Sequence, residues 1–158
     1  MRAKRSRLRA LLAAVPNDRV AEIRFTVHPS LCIVRSLFPV GTIWVLNVDD
    51  GVPSPIGFDS GGEDVLVVRP GVEVEVRLMP PGGAEFLTAL ASGMSPTEAT
   101  RSVRTEFALF DLPTNLAILV QAGVFIGYGL ADGESHGKME ARRQKESALT
   151  TICVGMDC

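Results

Sequence analysis

The sequence predicts an α+β fold, on three observations. Residues 72–78 alternate strictly, with Val72, Val74, Val76 and Leu78 set against Glu73, Glu75 and Arg77, the two-residue period of a strand with unlike faces. Between residues 82 and 122 the period changes to that of amphipathic helices, in three short stretches. Apolar residues make up 46% of the 158-residue chain, enough for a real core, but aromatics are few, so Ala, Val and Leu carry most of the packing.

In chain order, residues 4–15 place Leu8, Leu11, Leu12 and Val15 at helical spacing, and Pro16 ends the run; residues 1–22 read as a basic helix and linker. Residues 23–28 alternate Ile23, Phe25 and Val27 with Arg24, Thr26 and His28, a half-buried strand. Residues 31–36 are a second extended segment. Residues 40–48 fit a strand by their β-branched content and a helix by the shared face of Val40, Ile43 and Trp44. A loop rich in Pro and Gly closes this strand-rich segment, 23–60. Residues 65–69 and 72–78, joined by Pro70 and Gly71, predict a β-hairpin.

Three helices follow. The first, 82–92, aligns Phe86, Leu87 and Leu90, and Gly93 suits its C-terminal cap. Ser95, Pro96 and Glu98 have the spacing of a capping box for the second, which turns Ala99 and Val103 inward. Asp111 heads the third, whose apolar positions are Leu112, Leu116, Leu119 and Val120, and Gly123 ends it. Residues 124–128 predict a last strand, and 131–158 a disordered tail. A hairpin beside three short helices, the last two joined by residues 107–110, has helix-turn-helix spacing with a wing. Residues 62–130 therefore read as a winged-helix-like unit behind the N-terminal strand-rich segment.

The chemistry is mostly negative. His28 and His136 are the only histidines and neither sits in a motif; His28 reads as structural. Gly82 and Gly83 precede a helix but no Lys follows, so they read as a tight turn rather than a phosphate loop. Asp49–Asp50 and Glu63–Asp64 read as solvated acids. Three Cys without a CxxC pair point to a reducing, cytoplasmic setting, and no apolar run spans a bilayer. The expectation is a non-catalytic protein without cofactor or metal.

Charge separates two uses of the winged-helix geometry. The net charge of −2 conceals a basic arm, +5 over residues 1–24, and an acidic body in which five Arg face twelve acids, −7 over residues 25–133. DNA binding draws its affinity from neutralised phosphates, for which the body has the wrong sign. A DNA reader here would rely on Arg101, Arg104, Thr114 and Asn115, with no Lys or Arg in the third helix. The other use is capture of an extended peptide on a strand edge beside a helix, which needs no basic surface. The residues expected at that contact are Val72, Val74, Val76, Leu112, Asn115, Ile118 and Leu119, with Leu116 and Val120 in the core.

The succession HPSLCIVRSLFPVGTIW at 28–44, GGEDVLVVRPGVEVEVRLMPPGGAEFLTALASGMSPTEA at 61–99 and FDLPTNLAILVQAGVF at 110–125 resembles the C-terminal half of the HvfC/BufC-type proteins, over about residues 11–126. The resemblance implies a partner protein of a multinuclear non-haem iron oxidase. Such a protein recognises a Cys-containing, ribosomally made precursor peptide and presents it for modification in a metal-stress pathway tied to copper homeostasis. Members of this family also carry a DNA-binding label. Their N-terminal helical domain has no counterpart in these 158 residues, so a third reading, an inactive fragment, stays open.

Overall fold

The computed structural model describes residues 22–48, 55 and 61–130. The predicted N-terminal helix at 4–15 and the tail at 131–158 lie outside them. The described chain is α+β, with strands β1 (Ile23–Val27) and β2 (Cys32–Ser36), helix α1 (Val40–Val48), strands β3 (Glu63–Val68) and β4 (Glu75–Leu78), helices α2 (Gly83–Ala91), α3 (Pro96–Val103) and α4 (Leu112–Ala122), and strand β5 (Phe125–Leu130).

The strands form two antiparallel sheets. β1 pairs with β5, from Ile23 opposite Leu130 to Val27 opposite Phe125, with an irregularity after Thr26. The other sheet has the order β2-β3-β4. The strand-rich segment thus shares both sheets with residues 62–130, and one apolar cluster joins them. Ile23, Phe25, Leu31, Ile33, Leu66 and Val68 come from the strands, and the helices add Phe86, Leu87, Leu90, Ala99 and Leu119. Helix α2 is the centre of it, touching β1, β3 and α3, with Phe86, Leu87 and Leu90 fully buried. Full burial of each such side chain is worth about 1.5–3 kcal/mol. The Phe86 ring lies 5.1 Å from Phe110, and Phe25 stacks on Phe125 at 4.2 Å.

The ambiguous residues 40–48 are a helix. Gly41 explains how α1 lies so close to the sheet: a Cβ there would collide with Leu78 Cδ1 and come within 2.8 Å of Val65 Cγ2. Glu63 secures the contact, its carboxylate accepting from the Thr42 backbone N–H at 2.9 Å and from the Thr42 hydroxyl. Arg35 on β2 bridges Asp64 on β3 at 3.3 Å and Glu85 on α2, tying sheet to helix.

The predicted hairpin exists, but its second strand is shorter than the alternation suggested. β4 starts at Glu75, opposite Val68, and residues 69–74 form the connection. The Arg69 N–H donates to the Ser30 hydroxyl at 2.8 Å, and Arg69 Nε donates to the Val72 carbonyl at 3.2 Å. The backbone therefore leaves the ladder at Arg69, and Val72 and Val74 are exposed loop residues, Val72 at 80%. Leu87→Ala is expected to cost about 2–5 kcal/mol in urea unfolding. Val72→Ala is expected to stay within about 0.5 kcal/mol. A large loss at Val72 would restore the longer strand.

Candidate functional site

The region of interest is the outer side of β4 and the helices next to it. β4 is an edge strand, and among the described residues no strand pairs with its second edge. Helix α4 packs against β4. Register fixes which side chains share a face. Arg77 lies opposite Leu66 and Glu75 opposite Val68, so these two join the core side of the sheet at its rim, where they form an ion pair of 2.8 Å. Val76 and Leu78 lie opposite Val67 and Val65, on the face that α1 partly covers.

The residues expected at the peptide contact are thus divided. Val76 is half-buried on the α1 side of the sheet. Leu112, Leu116 and Leu119 pack into the central cluster on the other side. Leu119 is 1% exposed and Asn115 2%, so both are interior residues; Asn115 donates from Nδ2 to the Asp111 carbonyl at 2.9 Å. Ile118 is half-buried outside that cluster. Leu116 and Val120 pack against the core as their spacing predicted.

The alternative DNA set is also split. Arg101 and Arg104, both exposed, line a shallow depression with Thr97, Thr100 and Leu112. Thr114 and Asn115 line a different cleft beside Pro80 and Phe107, and the Thr114 hydroxyl donates to the Asp111 carboxylate. Asp111 does head α4, but its side chain makes no capping bond to the helix backbone.

The other candidates have structural duties. The His28 Nδ1 accepts from the Ser30 N–H at 3.2 Å and lies 2.8 Å from the Ser30 hydroxyl, inside the β1–β2 turn. Gly82 and Gly83 are buried. Gly82 has φ 78°, and a Cβ on it would sit 2.8 Å from Val103 Cγ1 and 3.1 Å from the rings of Phe107 and Phe110. Only glycine satisfies both the left-handed conformation and the close approach. Among the described residues no group of three or more His, Cys, Asp or Glu is placed to hold a metal ion, and no described helix is long and apolar enough to cross a membrane.

The capping box that starts α3 forms as the spacing predicted. The Glu98 N–H donates to the Ser95 hydroxyl at 3.2 Å, and the Glu98 carboxylate accepts from the Ser95 N–H at 2.8 Å. That carboxylate also meets Arg24 of β1 at 3.0 Å, anchoring the helix that carries Arg101. A scan of protein-family models and searches of curated proteins and of solved structures find no match to this chain.

The Ser95 backbone bond first, then its hydroxyl and the nearby Arg24 and Arg101, hold the Glu98 carboxyl below the usual glutamate range. A depressed folded value adds stability above the unfolded pKa, lost as pH falls through the folded one. A carbon-detected NMR titration is expected to place Glu98 below free glutamate, and Ser95→Ala, which removes the hydroxyl bond and keeps the backbone one, to move it part of the way back up.

Proposed function

We propose that this chain is a non-catalytic binding module with a winged-helix-like core, β3 and β4 acting as wing beside α2–α4, that captures an extended peptide along β4. The observation that carries this reading is the edge position of β4 next to α4. A peptide added there gains main-chain hydrogen bonds, and its side chains alternate between the two faces. One set meets the α4 side, to which we assign Ile118, half-buried outside the central cluster; the other meets Val76 and Leu78. The division of the apolar residues between two faces suits such a strand, which needs both. The acidic body favours a neutral or basic peptide over nucleic acid.

Within this reading, the resemblance to the HvfC/BufC-type proteins names the biological partners: a Cys-containing precursor peptide and the multinuclear non-haem iron oxidase that modifies it. DNA regulation and an inactive fragment become outcomes of the test. Fluorescein-labelled Val/Thr-rich hexapeptides and a labelled DNA duplex are titrated with the full chain at 50 and 200 mM salt. Peptide affinity is expected to change less than about threefold between the two salts, because no phosphates are neutralised. Peptide binding is expected to shift the amide resonances of residues 75–78, and Ile118→Ser to weaken it about tenfold, the scale of one buried apolar side chain. A steeply salt-dependent DNA complex would overturn the proposal in favour of the regulator. A folded chain that binds neither would overturn it in favour of the fragment.

A further inference from the structure

Just past β4 lies a cleft of about 330 Å³, at the small end of ligand-pocket sizes, which run from about 300 to 1,000 Å³. Pro80, Pro81, Phe107, Leu109 and Phe110 give it apolar walls. Its shape follows from Gly82, whose bare Cα lets Phe107 and Phe110 close on the backbone behind Pro81. Leu109 stands 98% exposed at its edge. Asp111 is the only ionisable side chain lining it; its carboxylate accepts from Thr114 and has no Lys or Arg partner among the described residues.

We propose that this cleft is an anchor site for an apolar side chain flanked by a basic one, in the peptide that pairs with β4. The proposal rests on the β4 reading. Two observations give it its occupant. The Met79 N–H is committed to the Asp64 carbonyl of β3 at 2.9 Å, and Pro80 and Pro81 carry no N–H, so a peptide pairing along β4 loses its donors beyond Leu78 and leaves the sheet there, at the mouth of the cleft. Beside apolar walls, Asp111 supplies a negative charge without a Lys or Arg partner among the described residues, the complement of a Leu-Lys or Leu-Arg pair and not of an acidic peptide. Leu109 then closes over the bound side chain.

The test measures anisotropy of labelled Thr-Val-Thr-Val-Leu-Lys, Thr-Val-Thr-Val-Ser-Lys and Thr-Val-Thr-Val-Leu-Glu peptides with the full chain. The Leu-Lys peptide is expected to bind about tenfold or more tightly than the Ser-Lys form, the scale of one buried apolar side chain. Leu109→Ser, at an exposed position, is expected to remove that difference without changing the melting temperature. Asp111→Asn, which keeps an acceptor for Thr114, is expected to bring the Leu-Lys and Leu-Glu affinities together. Equal binding of the Leu and Ser forms, with residues 75–78 still shifted in the NMR spectrum, overturns the anchor site and leaves the β4 reading standing. No shift of residues 75–78 with any peptide overturns both. A wild-type dimer that Leu109→Ser dissociates makes a second copy the occupant and overturns the peptide assignment.

Discussion

The apolar face of α2 is what the rest of the structure depends on. Phe86, Leu87 and Leu90 are fully buried, and they are covered by different parts of the chain: β1, β3 and α3 touch the helix, and the Phe110 ring packs at a tilt against Phe86. A nine-residue helix is marginal on its own. It persists here because its apolar face is enclosed, and the enclosing elements are ordered by the same contact. That mutual dependence makes residues 23–48 and 61–130 one packed body, although their sequence character differs.

The position of the proposed binding region follows from this core. Once Leu66 and Val68 face α2, the two-residue period of the sheet sends Val65 and Val67 to the opposite side, and the β3–β4 register carries Val76 and Leu78 with them. Helix α4 turns Asn115 and Leu119 inward on the core side. What remains for a partner is the rim between the two faces, a backbone edge with apolar side chains above and below it. Glu75 and Arg77 occupy that rim as an ion pair.

Electrostatics bears on the choice between the proposed peptide capture and DNA binding. Arg101 and Arg104 are the basic groups of the helical region, and they lie around a different depression from Thr114 and Asn115. Two arginines on an acidic body neutralise few phosphates, whereas main-chain pairing at β4 is indifferent to the sign of the surface.

Features governed by neighbouring residues were legible in the chain order. The capping box of Ser95 and Glu98 needs two residues three positions apart and one reciprocal pair of hydrogen bonds, and it formed as read; Gly123 took the left-handed cap at φ 76° for the same local reason. The alternation of 23–27 and the helical faces of Phe86, Ala99 and Leu116 likewise identified element type and inward side. The contact set was less legible, because burial of Leu119 and Asn115 depends on which elements cover them. Long-range pairing decided the remainder. Ile23 meets Leu130 across more than a hundred residues, and no local pattern encodes that partner. Residues 40–48 are helical where their composition allowed either state, with Gly41 set closely against Val65 and Leu78. Val72 and Val74 keep the pattern of a strand yet lie outside it, because Ser30 draws Arg69 out of the ladder and a strand without a partner has nothing to satisfy its backbone.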